Sequence, residues 1–127
     1  MAIHAPDMVV DKKEQLEKIE DYCLPQEEVH AVFDLKGIGT GFVGITNKRV
    51  IFYDKAFRRK QKAMVTVPYS RVHAVSSEDD TGRLIKRGFF ASSKLTLHAG
   101  DDSFEFEFRG GDKAHRAYML VMEHLLK

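Results

Sequence analysis

Residues 103–127 read "SFEFEFRGGDKAHRAYMLVMEHLLK", and two periodicities meet inside them. Up to Arg109 the pattern has a period of two: Phe104, Phe106 and Phe108 face one way, and Glu105, Glu107 and Arg109 the other. That alternation predicts a strand of an antiparallel sheet with one packed and one wet face. Each Phe buried there contributes roughly 1.5–3 kcal/mol of transfer free energy. Gly110 and Gly111 break the strand. Beyond them Ala114, Ala117, Tyr118, Val121 and Leu125 form a stripe at helical spacing, widened by Leu120 and Met122. His115, Arg116, Glu123 and Lys127 fall largely off it. The spacing predicts an amphipathic helix of about four turns, with Asp112 as its N-cap.

Working toward the N-terminus, "SKLTLHA" (93–99) pairs with the last strand through the turn "GDD" (100–102). Upstream, "VHAVFDL" (29–35) places Val29, Ala31, Phe33 and Leu35 on one face of a strand. The segments "FVGIT" (42–46), "RVIFYD" (49–54), "AMVTV" (63–67) and "RVHAVSSED" (71–79) complete a series of short strands. "GIGTG" (37–41) is a hairpin turn; a phosphate-cradling glycine loop needs a helix after it, and here a strand follows. Asn47 suits a tight turn because it tolerates positive φ, and Pro68 closes a strand. "TGRLIKRGFF" (81–90) fits neither period. Before all of these, "DKKEQLEKIEDYC" (11–23) predicts a helix over about 12–23, with Leu16, Ile19 and Cys23 on its apolar face. Asp11 and Glu14 have capping-box spacing, and Pro25 stops the helix. Residues 1–10 show no period and read as a loose arm. The expected organisation is an arm and short helix over 1–23, then a domain over 24–127. That domain is mainly β: a seven-stranded antiparallel barrel or sandwich closed by the C-terminal helix.

The totals agree with one soluble domain. The chain has 127 residues, enough for a core without staples. Net charge is +1, so no global field favours nucleic acid or membrane. Cys23 is the only cysteine, which excludes an intrachain disulfide and suits a reducing compartment. The start lacks a signal-peptide pattern, and no apolar run approaches the roughly 20 residues of a membrane helix. The cytoplasm is the expected location.

Three stretches carry a family resemblance. "LPQEEVHAVFDL" (24–35) resembles the opening of the bacterial pleckstrin-homology families, a Leu-Pro and an acidic pair before the first strand. "GFVGITNKRVIFYDK" (41–55) is similar to their second hairpin, where a Thr-Asn-Lys-Arg turn precedes a strand ending in Tyr-Asp. "VTVPYSRVHAV" (65–75) resembles their Pro-Tyr-Ser corner. The resemblance implies a pleckstrin-homology-like fold and a binding or scaffolding role; some bacterial members self-assemble into rings. Eukaryotic phosphoinositide-binding members place a Lys near the end of the first strand and an Arg in the second. Lys36 is present here, but the second strand has no Arg, so that ligand pattern does not transfer.

Two loops are candidate sites. "FRRKQK" (57–62) with Lys55 gathers Lys55, Arg58, Arg59, Lys60 and Lys62, and Phe57 adds an apolar foot. Such a cluster attracts an anionic membrane surface by about 1 kcal/mol per charge. Equally, it reads as a solvated loop whose charges discourage edge pairing. Leu84, Ile85, Phe89 and Phe90 either complete the core or form a surface for self-association. The six histidines (4, 30, 73, 98, 115 and 124) form no ligand pair within one element, so no metal and no cofactor are expected. Glu105 and Glu107 read as a solvated face, and Cys23 as a structural thiol. With no catalytic set to place, the expectation is a non-enzymatic module with a protein partner or itself as partner, and no nucleic acid. The alternatives are peripheral anion binding, and a small-molecule or catalytic pocket at the open end of the barrel.

Overall fold

The computed structural model describes residues 2–36, 41–54, 63–79 and 92–127. In chain order the elements are β1 (Ile3–Val10), α1 (Lys13–Glu20), β2 (Glu28–Asp34), β3 (Phe42–Thr46), β4 (Arg49–Asp54) and β5 (Ala63–Pro68). A 3-10 turn (Tyr69–Arg71), β6 (Ala74–Asp79), β7 (Ser92–Ala99), β8 (Asp102–Arg109) and α2 (Lys113–Leu125) follow. β1 to β5 form one sheet in that order, and β6 to β8 a second. The sheets meet at one corner, where Leu35 bridges Phe108 and the Lys36 N–H donates to the Glu107 carbonyl at 2.8 Å. The fold is mainly β with a C-terminal helix, as the alternation and the final helical stripe predict.

The interior between the sheets is filled. Phe33, Ile45, Val50, Leu95, Leu97 and Phe108 are buried there, and α2 adds Ala114, Ala117 and Val121. Phe33 and Phe108 meet edge to face, their centroids 5.3 Å apart. The first sheet is apolar on its outer face as well, because α1 covers it: Leu16 and Ile19 pack on Val29, Val32, Phe42 and Ile51. Gly44 makes that cover possible. A Cβ there would stand 3.0 Å from two side-chain carbons of Ile19, so a side chain at 44 would require Ile19 to give way.

Several local expectations are corrected. Residues 3–10 form β1, which pairs parallel with β2; the disruption between His4 and Val9 and the presence of Pro6 hide that strand from a period-two search. The edge of β2, not a local pattern, makes it a strand. The described strands of the domain over 24–127 are the seven expected, β2 to β8, with β1 an eighth ahead of them, and α1 is shorter than expected. Val29 does not share a face with Ala31, Phe33 and Leu35: the β2–β3 register shifts between Val29 and Ala31. The irregularity sends Val29 to the outer cluster and the other three to the inner one.

Neither predicted cap works as expected. Lys12 is the N-cap of α1 and makes no side-chain cap bond. Asp11 instead accepts the Asp34 N–H at 2.9 Å and the Lys113 ammonium at 2.9 and 3.0 Å. Asp112 is the N-cap residue of α2 but makes no side-chain cap bond. Ser93 of β7 serves that end: its Oγ accepts the Ala114 N–H at 2.9 Å and donates to the Gly110 carbonyl at 2.7 Å. A hairpin residue thus fixes the start of the helix that closes the fold. Asn47 has no positive φ; among described non-glycine residues only Gln26 does, at 72°.

Candidate functional site

Two polar or mixed regions are linked through Tyr69 and His124. The first is a closed latch around Glu27. Leu24–Glu27 form a turn with Pro25 second and Gln26 at positive φ third, closed by the Glu27 N–H donating to the Leu24 carbonyl at 3.0 Å. The turn delivers Glu27 beneath the β3–β4 hairpin with no exposed surface. Arg49 donates to it twice, Nε to Oε2 and Nη2 to Oε1, both at 2.9 Å. Thr46 Oγ1 donates to Oε2 at 2.6 Å, and the Leu24 N–H to Oε1 at 2.9 Å. The remaining Arg49 donors reach the Tyr22 carbonyl at 2.6 Å and Thr66 Oγ1 at 3.1 Å. Thr46 also closes its own turn, accepting the Lys48 and Arg49 N–H groups at 3.0 and 3.1 Å. Tyr69 donates its hydroxyl to the Thr46 carbonyl at 2.7 Å.

Charge in this latch is settled by its hydrogen bonds. Burial alone raises the Glu27 pKa, but the bonds from Arg49, Thr46 and Leu24 outweigh it and hold the carboxyl below its ordinary range. The bond to Glu27 raises Arg49 against the opposing effect of burial. Desolvation and the Glu27 charge raise Tyr69. Cys23 beside them is half-buried and is pushed up to about 11, mainly by desolvation, so it is not a thiolate nucleophile at neutral pH. Both carboxylate oxygens of Glu27 and all three nitrogens of Arg49 are engaged within the protein. The latch ties elements together and presents nothing to a ligand.

A second polar tie stands at the other end of β2. Asp34 accepts Gln15 Nε2 at 2.7 Å and Arg109 Nε at 3.0 Å, with Lys12 at 3.6 Å. Burial raises its pKa, but the Gln15 and Arg109 bonds and the nearby Lys12 charge leave it lowered. With the Asp11–Lys113 bond, this tie joins α1, β2, β8 and α2.

The other region near the latch is open. Between β1 and α2 lies a groove of about 640 Å³, whose wall includes Val9, Met119 and Leu120, with Asp7, Arg116 and Glu123 among its charged residues. His30 belongs to the same lining. Its Nε2 is buried without a hydrogen-bond partner, although Glu28 Oε1 stands 3.1 Å away, off hydrogen-bond geometry. The His30 ring meets His124, centroids 4.8 Å apart, and His124 stacks on Tyr69 at 5.6 Å. Tyr69 thus links the two: its hydroxyl belongs to the latch, and its ring stacks on His124, which meets the groove's His30. Met119 is 54% exposed and Leu126 75%. Such a mostly apolar concavity can take an apolar side chain, a helix face or a small apolar molecule.

Of the residues singled out from sequence, His30 and His115 line the groove and Cys23 lies beside the latch; the two candidate loops fall outside the described residues. Lys55, Arg58, Arg59, Lys60 and Lys62 lie in 55–62, outside the described residues. That segment joins β4 to β5, whose ends pair at Asp54 and Ala63. Leu84, Ile85, Phe89 and Phe90 also lie outside the described residues, between β6 and β7. Glu105 is 62% exposed, with Lys94 at 3.7 Å. His73 and His98 are neighbours, centroids 6.3 Å apart, occupied by the Gly100 carbonyl at 3.3 Å and Ser103 Oγ at 3.1 Å. His4 meets Glu20. Among the described residues no three metal-type side chains gather, and no described helix is long and apolar enough to cross a membrane. Sequence reasoning missed the groove. Its signal was Met119, an apolar residue among Arg116, Glu123 and Lys127 on the outward side of α2.

The three stretches that carry the family resemblance converge on the latch: Glu27 from the first, Thr46 and Arg49 from the second, Tyr69 from the third. Comparison with known proteins agrees. The chain is 23% identical over 117 residues to the uncharacterized protein YozO of Bacillus subtilis (strain 168), covering 91% of this chain and 94% of that protein. A crystal structure of a pleckstrin homology domain from Shewanella amazonensis SB2B shares the fold, with a TM-score of 0.61 at 16% identity. That match covers 92% of this chain and all of the other. The family described as "Bacterial PH domain" matches residues 23–123, and the chain belongs to that family.

Proposed function

We propose that the protein is a non-enzymatic binding module that works through protein–protein contacts, self-association included, at the groove between β1 and α2. The observation that carries this is the exposure of Met119 and Leu126 beside an open, partly apolar groove. A surface helix normally turns charges outward there, and apolar side chains left exposed beside a groove favour a docking surface. The alternative of a pocket in the barrel's open end is disfavoured by the aromatic and aliphatic side chains that fill the interior. Membership of the bacterial PH domain family favours a binding module over an enzyme. A single cysteine suits a reducing compartment such as the cytoplasm.

The test is site-specific photo-crosslinking in cells. A photoreactive amino acid at Met119 is expected to capture protein, and the same group at exposed Glu105 on β8 is not. No captured protein at 119, or equal capture at both positions, overturns the reading. Attachment to an anionic surface through Lys55, Arg58, Arg59, Lys60 and Lys62 is a separate proposal on residues outside the described part. Loss of co-sedimentation with anionic vesicles after charge reversal of these five supports it, and no co-sedimentation at low salt ends it.

A further inference from the structure

We infer that the occupant of this groove is a second copy of the chain, docked so that the two α2 helices run antiparallel across a two-fold axis between Met119 and Leu120. The inference rests on the protein-contact reading above and adds the partner and its register.

The argument begins with the outward stripe of α2. Arg116, Met119 and Glu123 share one side of α2, and Asp112 and Lys127, just beyond its two ends, continue the spacing at intervals of four residues. All five are exposed. Ala114, Ala117 and Val121, which face the core, are fully buried. None of the four charged members has an ion-pair partner among the described residues. Their signs along the helix are minus, plus, minus, plus, with Met119 in the middle.

That order is complementary to itself when reversed. With the axis between Met119 and Leu120, Arg116 of each copy lies opposite Glu123 of the other, and Asp112 opposite Lys127. Four attractive pairs result from one symmetric contact, as an isologous interface requires. Met119 and Leu120 of both copies meet at the centre, where they fill the open groove beside Val9. Arg116 and Glu123 are about 10 Å apart along the axis, at 1.5 Å per residue. A shallow antiparallel crossing keeps both pairs in register over that length. A parallel arrangement sets Arg116 against Arg116 and Glu123 against Glu123, so the sign pattern selects one orientation. The stripe sums to zero charge, so an anionic lipid surface gains nothing from it. One helix face is a small contact area, and the association is therefore weak and sensitive to salt.

Sedimentation equilibrium of the full chain over a wide concentration range, at low and at physiological salt, tests the pairing. A reversible dimer is expected. Arg116→Glu and Glu123→Arg each place like charges opposite one another twice and weaken dimerisation by about tenfold. The double variant R116E/E123R restores attraction in the same register and returns the constant to within about threefold of the parent. Met119→Arg, at the axis, abolishes the dimer. All positions are solvent-facing, and unchanged circular dichroism verifies that each variant is folded.

A chain that stays monomeric at every concentration overturns the pairing. So does a dimer indifferent to either charge reversal, or a double variant weaker than both single ones. These outcomes leave the protein-contact reading standing if Met119 still captures a protein by crosslinking. Loss of that capture removes the reading itself.

Discussion

The latch at Glu27 and the groove at Met119 sit on either side of Tyr69 and treat their polar and apolar groups in opposite ways. In the latch, a fully buried carboxylate meets four donors and Arg49 uses every nitrogen. In the groove, the buried His30 Nε2 meets among the described residues only the off-geometry Glu28 carboxylate at 3.1 Å, and two large apolar side chains stand in water. A satisfied polar network stabilises the fold and leaves little for a ligand to gain. An unsatisfied surface costs stability and leaves free energy for a partner to recover. The motifs that identify the family belong to the first kind of region, so they mark architecture and not ligand.

That contrast breaks first at Arg49. Arg49→Ala strands the buried Glu27 charge and is expected to cost about 3–5 kcal/mol, read from the urea midpoint. A change below about 1 kcal/mol would make the latch an ordinary surface pair. The pH dependence sharpens the same point. The Glu27 carboxyl is held below its ordinary value of 4.5 in the fold. Its contribution is therefore full above the unfolded value and is lost as pH falls through the lower, folded one. Stability should decline below about pH 4.5, and Glu27→Gln should flatten part of that slope; Asp34, also lowered, accounts for another part. An unaltered slope in Glu27→Gln would place the acid sensitivity elsewhere. Ser93→Ala comes next, at about 1–2 kcal/mol, because it frees the first turn of α2 and the Gly110 carbonyl together. Hydrogen exchange at Ala114 should rise with it. Met119→Lys lies at the far end of the scale: a change within about 0.5 kcal/mol is expected, alongside loss of the dimer in sedimentation equilibrium. A large destabilisation there would make Met119 part of the core and remove the contrast.

The parts legible in sequence are those whose pattern is local. The Phe104–Phe108 alternation, the Ala114–Val121 stripe and the turn-bounded strands from β3 to β8 each follow from neighbours within a few residues. The parts that escaped depend on remote partners. β1 is a strand because the edge of β2 is there, Val29 changes face because of one irregularity, and neither aspartate expected to cap a helix makes a side-chain cap bond. Ser93, the residue that does cap α2, lies in a different strand, and no spacing rule reaches it. The groove was half legible, since Met119 breaks the polar side of α2, but its opposite wall comes from the unforeseen β1. The basic cluster at 55–62 and the apolar segment at 84–90 stand where the sequence alone left them.

The bond from Lys113 to Asp11 spans 102 residues and ties the end of β1 to the start of α2. Its consequence concerns time. Non-local closures of this size raise contact order and slow folding, so the β7–β8 hairpin, joined by a two-residue turn, is expected to form long before β1 is secured. During synthesis β1 is made well before residue 113 and lacks this tie until then. Pulsed hydrogen exchange during refolding should protect the amides of Leu95 and Leu97 before that of Asp11, which donates to the Val32 carbonyl at 3.0 Å. Until then the β2 edge stands bare, and a strand from another chain can compete for it.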